Sequence, residues 1–237
     1  MPDDDPAASM PDDDPAASMP ADGSAARDDQ RSFLTGIILA AGASTRMGRP
    51  KQLLPLAGRP LLQRTLDEAA AACLDELILV LGHRAAEIRD ALDLPDPARC
   101  RVVVNERYRE GQAGSLRLGL RSADPAAGAA AILLGDQPLV TADRIDRVAR
   151  AFREAGALAA RPMYAGAAGE RIPGHPVFLA RSTWAELERL GGDRGARDLL
   201  AAHPDWLCEL PLGDDPPLDV DTEEDWRRAE KALLDSS

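Results

Sequence analysis

Residues 36–51 read GIILAAGASTRMGRPK and join an apolar run to a loop of small residues with two fixed cations. The apolar run at residues 36–39 is typical of a buried strand. Small side chains in the loop allow a ligand to approach the backbone, and Arg46 and Lys51 add positive charge. Because loop N–H groups and cations can share the charge of an anion, this stretch predicts a polyphosphate-binding loop.

The spacing of the glycines excludes two common phosphate-binding motifs. A Walker A loop needs four residues between its glycines and then Gly-Lys-Ser/Thr, whereas five residues separate Gly42 from Gly48, and Arg49-Pro50 precede the lysine. The dinucleotide fingerprint G-x-G-x-x-G is absent. The pattern therefore indicates another class of nucleotide site, and a small-residue β–α turn with stray cations is the simpler alternative.

The negative charge of the chain is concentrated at its beginning. The 237 residues carry a net charge of −12, and residues 1–30, with nine Asp and one Arg, account for −8 of it, which leaves −4. The nonapeptide MPDDDPAAS at residues 1–9 recurs at residues 10–18. Such a segment cannot bury enough apolar surface to offset chain entropy, so residues 1–31 are predicted to be a disordered acidic tail and residues 32–237 one domain. The tail is either regulatory, an unselected extension or the result of a wrongly assigned start codon.

Several function classes receive no support from the composition. The sequence has no run of about 18 apolar residues and no basic segment followed by an apolar one, so a cytoplasmic protein without a membrane partner is expected. Three widely spaced cysteines, Cys73, Cys100 and Cys208, argue against a disulfide framework or a zinc site. No nucleic-acid partner is expected.

Apolar strands alternate with helical patterns from residue 37 to residue 161. Strands are expected at residues 37–41, 76–82, 101–105, 131–136 and 157–161, and helices at residues 60–73, 84–92, 115–122 and 141–155. This order predicts an α/β fold with a single doubly wound, mostly parallel sheet and helices on both faces. Ligands bind beyond the carboxyl ends of the strands in such sheets, where residues 42–51, 105–115 and 136–138 fall.

The pattern is less regular after residue 161. Glycines and prolines between residues 162 and 174 predict a hairpin or a loop excursion, and a short strand follows at residues 176–179. Thr183 and Glu186 have the spacing of a capping box for a helix that ends at Leu190. Residues 196–202 are predicted to be helical. A last strand is expected at residues 218–221, followed by a helix that Thr222 caps.

The loop at residues 39–51 resembles the signature of nucleotidyltransferases that attach a nucleotide to a phosphorylated acceptor, L-A-A/G-G-x-S-x-R-M-G-x-x-K. With Ala-Ala-Gly at residues 40–42 and Arg-Pro-Lys-Gln-Leu-Leu at residues 49–54, it is most similar to the molybdenum cofactor cytidylyltransferases. The resemblance covers residues 36–234. It implies a Rossmann-like fold and Mg²⁺-dependent transfer of CMP from CTP to the terminal phosphate of a molybdopterin-type acceptor, with release of pyrophosphate.

Two alternatives to this function stay open. One is a nucleotidyltransferase with another base or phosphorylated acceptor, such as a guanylyltransferase. The other is a non-catalytic molybdenum cofactor carrier or insertion chaperone, although such a protein needs no site for a metal-bound triphosphate. A molybdoenzyme or its insertion chaperone is a candidate protein partner in either case.

The resemblance assigns a nucleotide-binding role to one group of residues. They are Leu39, Ala40, Ala41, Gly42, Ser44, Arg46, Lys51 and Ser115. Arg46 would contact the leaving pyrophosphate and Lys51 the α-phosphate, where charge builds in the transition state. Solvated loop cations are the alternative for both. Ser115 would bind an edge of the base, or it could N-cap the helix that begins there.

A second group of residues would hold the metal and the acceptor. Asp136 ends an otherwise apolar strand, and in the resembled family this aspartate of the G-D-Q-P turn is a Mg²⁺ ligand; a structural turn is the alternative. The family completes the metal site from the region of Asp219 and Asp221, of which Asp221 is preferred here. Asp221 could instead add charge at a helix N-terminus. On the acceptor side, the resemblance points to His175, Arg194 and Arg197. The alternatives are an ordinary surface histidine and, for the two arginines, a solvated helix start.

Overall fold

The computed structural model describes residues 32–44, 48–166, 168–189, 196–213 and 215–235. The described residues belong to one unit, Ser32–Ser237. The predicted tail at residues 1–31 lies outside the described residues, as do two candidate site residues, Arg46 and Arg194.

A mixed eight-stranded sheet organises the domain, and two short strands form a separate hairpin. The strands of the described chain are β1 (Leu34–Leu39), β2 (Pro55–Leu56), β3 (Arg59–Pro60), β4 (Glu76–Leu81), β5 (Cys100–Val104), β6 (Ala129–Leu134), β7 (Ala159–Ala165), β8 (Arg171–Pro173), β9 (Val177–Ala180) and β10 (Leu207–Pro211). The strand order is β10-β7-β9-β6-β1-β4-β5, with β8 paired to β7 outside this path and β2 paired to β3.

Six of the eight strands of the main sheet run in the same direction. The neighbours β6, β1, β4 and β5 pair in parallel, as do β7 and β10. Strand β9 is antiparallel to both β6 and β7, and β8 forms an antiparallel hairpin with β7. The mostly parallel sheet is therefore confirmed, and the glycines and prolines after residue 161 correspond to the β7–β8 hairpin.

Helices cover both faces of the sheet. They are α1 (Leu61–Ala71), α2 (Ala85–Asp90), α3 (Gln112–Ser122), α4 (Ala142–Ala155), α5 (Trp184–Leu187), α6 (Ala196–Ala202) and α7 (Glu223–Asp235). Alternate residues of β1 pack on opposite faces of the sheet, because successive side chains of a strand point to opposite sides. Ile38 packs in the core formed with α1, α2 and α4, and Ile37 packs in the core formed with α3, α5 and α6. The doubly wound arrangement is confirmed.

Two expectations for the C-terminal third of the chain are wrong, and one strand was not predicted. Residues 218–221 form an irregular segment instead of a strand, although the amide of Val220 donates to the main-chain oxygen of Asp136 at 3.0 Å. A helix, α5, does begin after Thr183, but the Thr183 side chain does not cap it, because its hydroxyl donates to the carbonyl of Ala180 at 2.7 Å. The described helix is a single turn, and its predicted end at Leu190 lies outside the described residues. The sequence did not indicate β10, which lies at the sheet edge opposite β5 with side chains that are only partly buried.

The predicted cap of the last helix is confirmed. The amide of Asp225 donates to Thr222 Oγ1 at 3.2 Å, and the Asp225 carboxylate accepts from the Thr222 amide at 3.0 Å. Ala229 of this helix, α7, packs with Val220 and with Leu56 of the small hairpin. The helix thereby fixes the segment at residues 218–221 close to the turn that follows β6. No helix in the described ranges is long and apolar enough to cross a membrane.

Candidate active site

Two adjoining cavities lie at the carboxyl ends of the parallel strands β1 and β6. The first has a volume of about 510 Å³ and the second about 480 Å³, and Leu39, Gln112 and Leu134 contribute to the walls of both. The first cavity is lined by all described nucleotide candidates and by the two preferred metal candidates: Leu39, Ala40, Ala41, Gly42, Ser44, Lys51, Ser115, Asp136 and Asp221. Two acceptor candidates, His175 and Arg197, line the second cavity.

Lys51 lies between two carboxylates in the first cavity. Its Nζ is 2.7 Å from Asp136 Oδ2 and 2.7 Å from Asp221 Oδ1, so it joins segments that are far apart in the chain. The side chain of Lys51 is only 14% exposed, whereas those of Asp136 and Asp221 are 26% and 46% exposed. This partly open cluster faces the cavity with two negative groups and one positive group.

The two carboxylates keep Lys51 charged. Burial is the largest single influence on the ammonium group and opposes its charge, but the Coulombic attraction and hydrogen bonds of Asp136 and Asp221 together outweigh it. The pKa of Lys51 therefore lies above its ordinary value. Lys51 is a fixed cation at neutral pH.

The same two carboxylates have the donor chemistry of a magnesium site. Oxygens of Asp136 and Asp221 converge on one position that a cation, the Lys51 ammonium, occupies. Within the described ranges, no cluster of three or more His, Cys, Asp or Glu side chains is arranged to hold a metal. Two carboxylates nevertheless fit Mg²⁺, which commonly takes one or two protein carboxylates and fills its remaining positions with water and substrate phosphates.

Gln52 supports the loop that follows β1, and the sequence analysis gave it no role. Its Nε2 donates to the carbonyls of Ala40 and Gly42 at 3.0 and 3.1 Å, and its side chain is buried. Ser44 adopts a positive φ of 51° and accepts a hydrogen bond from the amide of Lys51 at 3.2 Å. These contacts hold the described part of the loop open toward the cavity. The position of Gln52 directly after Lys51 of the signature was the feature of the sequence that could have identified it.

Ala41 lies against Gly82 in the wall of the first cavity, and Tyr108 lies close to the same glycine. A Cβ at Gly82 would be 2.7 Å from the Ala41 carbonyl oxygen and 2.7 Å from Tyr108 Cβ, so only glycine permits this close approach. The hydroxyl of Tyr108 is 3.1 Å from His83 Nδ1. Tyr108 and Arg109, neither of which the sequence analysis selected, also line this cavity.

Ser115 lies inside α3 and does not cap it. The helix begins at Gln112 with Gly111 as its N-cap residue, which corrects both the predicted helix start and the capping alternative for Ser115. Ser115 Oγ accepts a hydrogen bond from Asn105 Nδ2 at 3.0 Å, and both side chains are buried. This pair joins the end of β5 to the first turn of α3 beside the cavity.

His175 in the second cavity has one ring nitrogen next to a backbone carbonyl, which fixes the role of that nitrogen. Its Nδ1 lies 3.2 Å from the carbonyl oxygen of Ile132, so Nδ1 carries the proton and donates to that oxygen. Burial lowers the pKa of His175, and this effect exceeds the opposing influence of the Ile132 carbonyl and nearby carboxylates. The lone pair on Nε2 therefore remains available as an acceptor.

Asp219 is bonded to a glutamine rather than to Lys51. Gln137 Nε2 donates to Asp219 Oδ1 at 2.7 Å. Asp219 keeps an exposed face toward the cavity, yet partial burial raises its pKa, with the Gln137 hydrogen bond acting in the opposite sense. Two carboxylates were considered for the second metal ligand. Asp221 contacts Lys51, the cation that Asp136 also contacts, whereas Asp219 lies in the second cavity.

Arg161 adds a cation to the second cavity that the sequence analysis did not select. Its Nε and Nη2 donate to Glu209 Oε1 at 3.2 and 2.6 Å, across the pair of strands β7 and β10. Arg171 Nη2 donates to the other oxygen of Glu209 at 3.1 Å but does not line the cavity. Glu209 thus orients Arg161. Arg171 contacts the same carboxylate from outside the cavity wall, so it can serve as a control for substitutions of Arg161.

The family model described as a MobA-like NTP transferase domain matches residues 36–206. The chain belongs to the MobA-like NTP transferase domain family. The matched range includes β1 and its loop, the turn after β6 and most of the second cavity. Asp219, Asp221 and α7 lie beyond it.

Solved structures and curated proteins agree with this family membership. Rv0371c of Mycobacterium tuberculosis H37Rv is 38% identical with a TM-score of 0.74, and the match covers 84% of this chain and 98% of that one. Its homologue from Mycobacterium sp. strain JC1 is 34% identical with a TM-score of 0.75, and the match covers 86% and 98% of the two chains. The bifunctional protein GlmU of Sorangium cellulosum is 35% identical over 127 residues, which is 52% of this chain and 27% of GlmU. The chain thus spans about a quarter of the length of the curated relatives it matches.

Proposed function

We propose that this protein transfers CMP from CTP to the terminal phosphate of a molybdopterin-type acceptor, with Mg²⁺ as cofactor and pyrophosphate as the second product. The observation that carries the proposal is the Lys51–Asp136–Asp221 cluster in one cavity beside a second cavity with its own polar groups. Two adjoining cavities suit a reaction that joins two substrates. A molybdoenzyme or its insertion chaperone would receive the product.

The residues of the first cavity would act by positioning and by charge. The loop after β1, held by Gln52, would orient the triphosphate, and Lys51 would leave its carboxylates to contact the α-phosphate. Asp136 and Asp221 would hold Mg²⁺, which when bound neutralises charge on the phosphate oxygens. An oxygen of the acceptor phosphate attacks the α-phosphorus in line, and the bond from that phosphorus to the β-phosphate oxygen breaks. No protein nucleophile is required.

A divalent cation has support from a related structure. Rv0371c of Mycobacterium tuberculosis H37Rv has been solved as a complex with manganese, and the match, at 35% identity, covers 84% of this chain and 98% of that one. Manganese and magnesium ions both accept carboxylate oxygens as ligands. We therefore assign the carboxylates of Asp136 and Asp221 to a divalent ion and propose Mg²⁺ as the ion used in the reaction.

The test of the proposed function is pyrophosphate release with each of the four NTPs in the presence of molybdopterin and Mg²⁺. We expect CTP to give the highest turnover and molybdopterin to be required. Equal turnover with CTP and GTP would contradict the cytidylyl assignment and favour a transferase of broader base range. Tight cofactor binding without any pyrophosphate release would favour the carrier alternative.

Replacing Ala41 with glycine is expected to weaken the preference for CTP over GTP. Ala41 lines the cavity with its methyl group next to Gly82, and removal of that methyl group enlarges the space there. A single methyl group in a binding pocket changes discrimination by about 10-fold or more. The measurement is the ratio of kcat/KM values for the two nucleotides. Ala43→Gly, in the same loop but outside the cavity wall, is the control and should leave the ratio unchanged.

Replacing Arg161 with alanine is expected to raise the KM for the acceptor by about 10-fold, the effect of one charge-assisted hydrogen bond. Arg161 lines the second cavity, so the KM for CTP should change little. Arg171→Ala removes a guanidinium that contacts the same Glu209 from outside the cavity and should leave both KM values unchanged. Equal increases in the acceptor KM for both substitutions would contradict a direct contact of Arg161 with the acceptor. They would indicate that the two arginines act only through the structure around Glu209.

A further inference from the structure

Among the described residues that line the first cavity, Tyr108 supplies the only aromatic ring. Aromatic residues are scarce in this chain, which has two tyrosines, three tryptophans and three phenylalanines. Tyr164, Phe152 and Phe178 are buried in the core, whereas Tyr108 is half-buried in the cavity wall. No step of the proposed mechanism uses this ring, so its place in the wall needs an explanation.

Contacts from several segments hold Tyr108 in position. Its hydroxyl is 3.1 Å from His83 Nδ1, and its amide donates to the carbonyl of Asn105 at 3.2 Å. The amide of His83 donates to the carbonyl of Ala41 at 3.2 Å, so His83 joins the loop after β1 to Tyr108. Gly82 has no side chain, which allows Tyr108 Cβ to lie close to the end of β4. The ring is therefore placed by its surroundings.

The neighbours of the Tyr108 ring leave a face for a planar ligand. The His83 ring is tilted by 52° with the two centroids 5.7 Å apart, so it does not stack on Tyr108. The guanidinium carbon of Arg109 lies 5.6 Å from the ring centroid, beyond the van der Waals contact distance of about 4 Å. Arg109 is exposed, so its long side chain can move as a ligand enters.

Tyr108 lies far along the sheet edge from the charged cluster. Asp136 follows β6, whereas Tyr108 follows β5. The strand order β6-β1-β4-β5 puts three intervals of about 4.8 Å between these two strands. The base is the part of a nucleoside triphosphate that is farthest from its terminal phosphate. A triphosphate beside Asp136 therefore directs its base toward Tyr108.

We infer that the Tyr108 ring stacks on the base of the bound nucleotide and that His83 is a positioning residue that holds the ring for this contact. The inference rests on the proposed function, since it takes the first cavity to be the nucleotide site. It adds the group that contacts the face of the base. Every base has an aromatic face, so this contact provides affinity without selecting the base.

The first arm of the test measures equilibrium binding to the full chain by calorimetry, with Mg²⁺ and without acceptor. The probes are CTP and inorganic triphosphate, which has no base. Tyr108→Ala should weaken CTP binding by about 10-fold or more, as expected when an aromatic side chain that stacks on a base is removed, and should leave triphosphate affinity unchanged. Tyr108→Phe keeps the ring and should retain more CTP affinity than Tyr108→Ala.

Two results of this arm would overturn the inference. One is unchanged CTP affinity in Tyr108→Ala. The other is an equal loss of CTP and triphosphate affinity, which would mean that Tyr108 acts only through the structure of the cavity. GTP should lose affinity in Tyr108→Ala as CTP does, so the result does not depend on a preference for CTP.

The second arm tests the positioning role of His83 with a double substitution. His83→Ala removes the ring that contacts the Tyr108 hydroxyl and keeps the main-chain bond to Ala41. It should weaken CTP binding by about 3-fold, roughly the effect of one hydrogen bond, and should add no loss in the Tyr108→Ala background. Additive losses would contradict a role that acts through Tyr108.

The binding measurements separate this inference from CMP transfer, because they need no turnover. Nucleotide binding that depends on Tyr108 in a protein without transferase activity would support the stacking contact and contradict the proposed function. Failure of the unmodified chain to bind CTP and GTP would overturn both.

Discussion

Replacing Asp136 with asparagine is expected to lower turnover by about 10²–10³-fold, the usual effect of removing one electrostatic contact to a transition state. Asparagine keeps the shape of the side chain and removes the charge that would hold Mg²⁺. The main-chain oxygen of Asp136 still accepts the hydrogen bond from Val220, so the turn after β6 should keep its position. Turnover and CTP affinity at saturating Mg²⁺ measure the effect, and the loss should fall on kcat far more than on CTP binding.

A matched control for this experiment lies on α4. Asp143→Asn removes the same charge from a side chain that is 77% exposed and outside both site cavities, so turnover should remain normal. The melting temperatures of both variants test the fold. Near-normal turnover of Asp136→Asn would refute the metal role of Asp136 and favour the carrier alternative over the enzyme.

The central sheet could be predicted because its strands are buried on both faces. The strands β1, β4 and β6 have six residues each, most of them apolar and almost all of them buried, and this sequence pattern indicates a buried parallel strand. The carboxyl ends of such strands meet at one edge, which explains why the candidate residues after β1 and β6 line a common cavity.

The elements that the sequence did not reveal depend on contacts between distant residues. Strand β10 has partly buried side chains at the sheet edge, so it lacks the apolar run of a central strand. The hydrogen bond from Gln137 to Asp219 spans 82 residues, and the contact of Lys51 with Asp221 spans 170. A strand at residues 218–221 would have put Asp219 and Asp221 on one face, whereas the irregular segment directs them to different partners.

Replacing Lys51 with alanine is expected to change two measurements in opposite directions. Turnover should fall by about 10²–10³-fold, because a cation proposed to contact the α-phosphate in the transition state is lost. Binding of Mn²⁺ without nucleotide should become tighter, because the Lys51 ammonium lies 2.7 Å from both carboxylates and competes with a divalent ion for that position. Electron paramagnetic resonance of free Mn²⁺ measures the second effect independently of activity.

The chain offers a matched control for this pair of results, since Lys51 and Lys231 are its only lysines. Lys231 is exposed on α7, so Lys231→Ala should leave turnover and Mn²⁺ affinity unchanged. Lys51→Ala removes an ammonium that offsets the charge of both carboxylates, and a lower melting temperature that Mn²⁺ raises again should follow. Weaker Mn²⁺ binding by Lys51→Ala would mean that the ammonium helps to form the metal site instead of occupying it. Normal turnover would remove Lys51 from the reaction altogether.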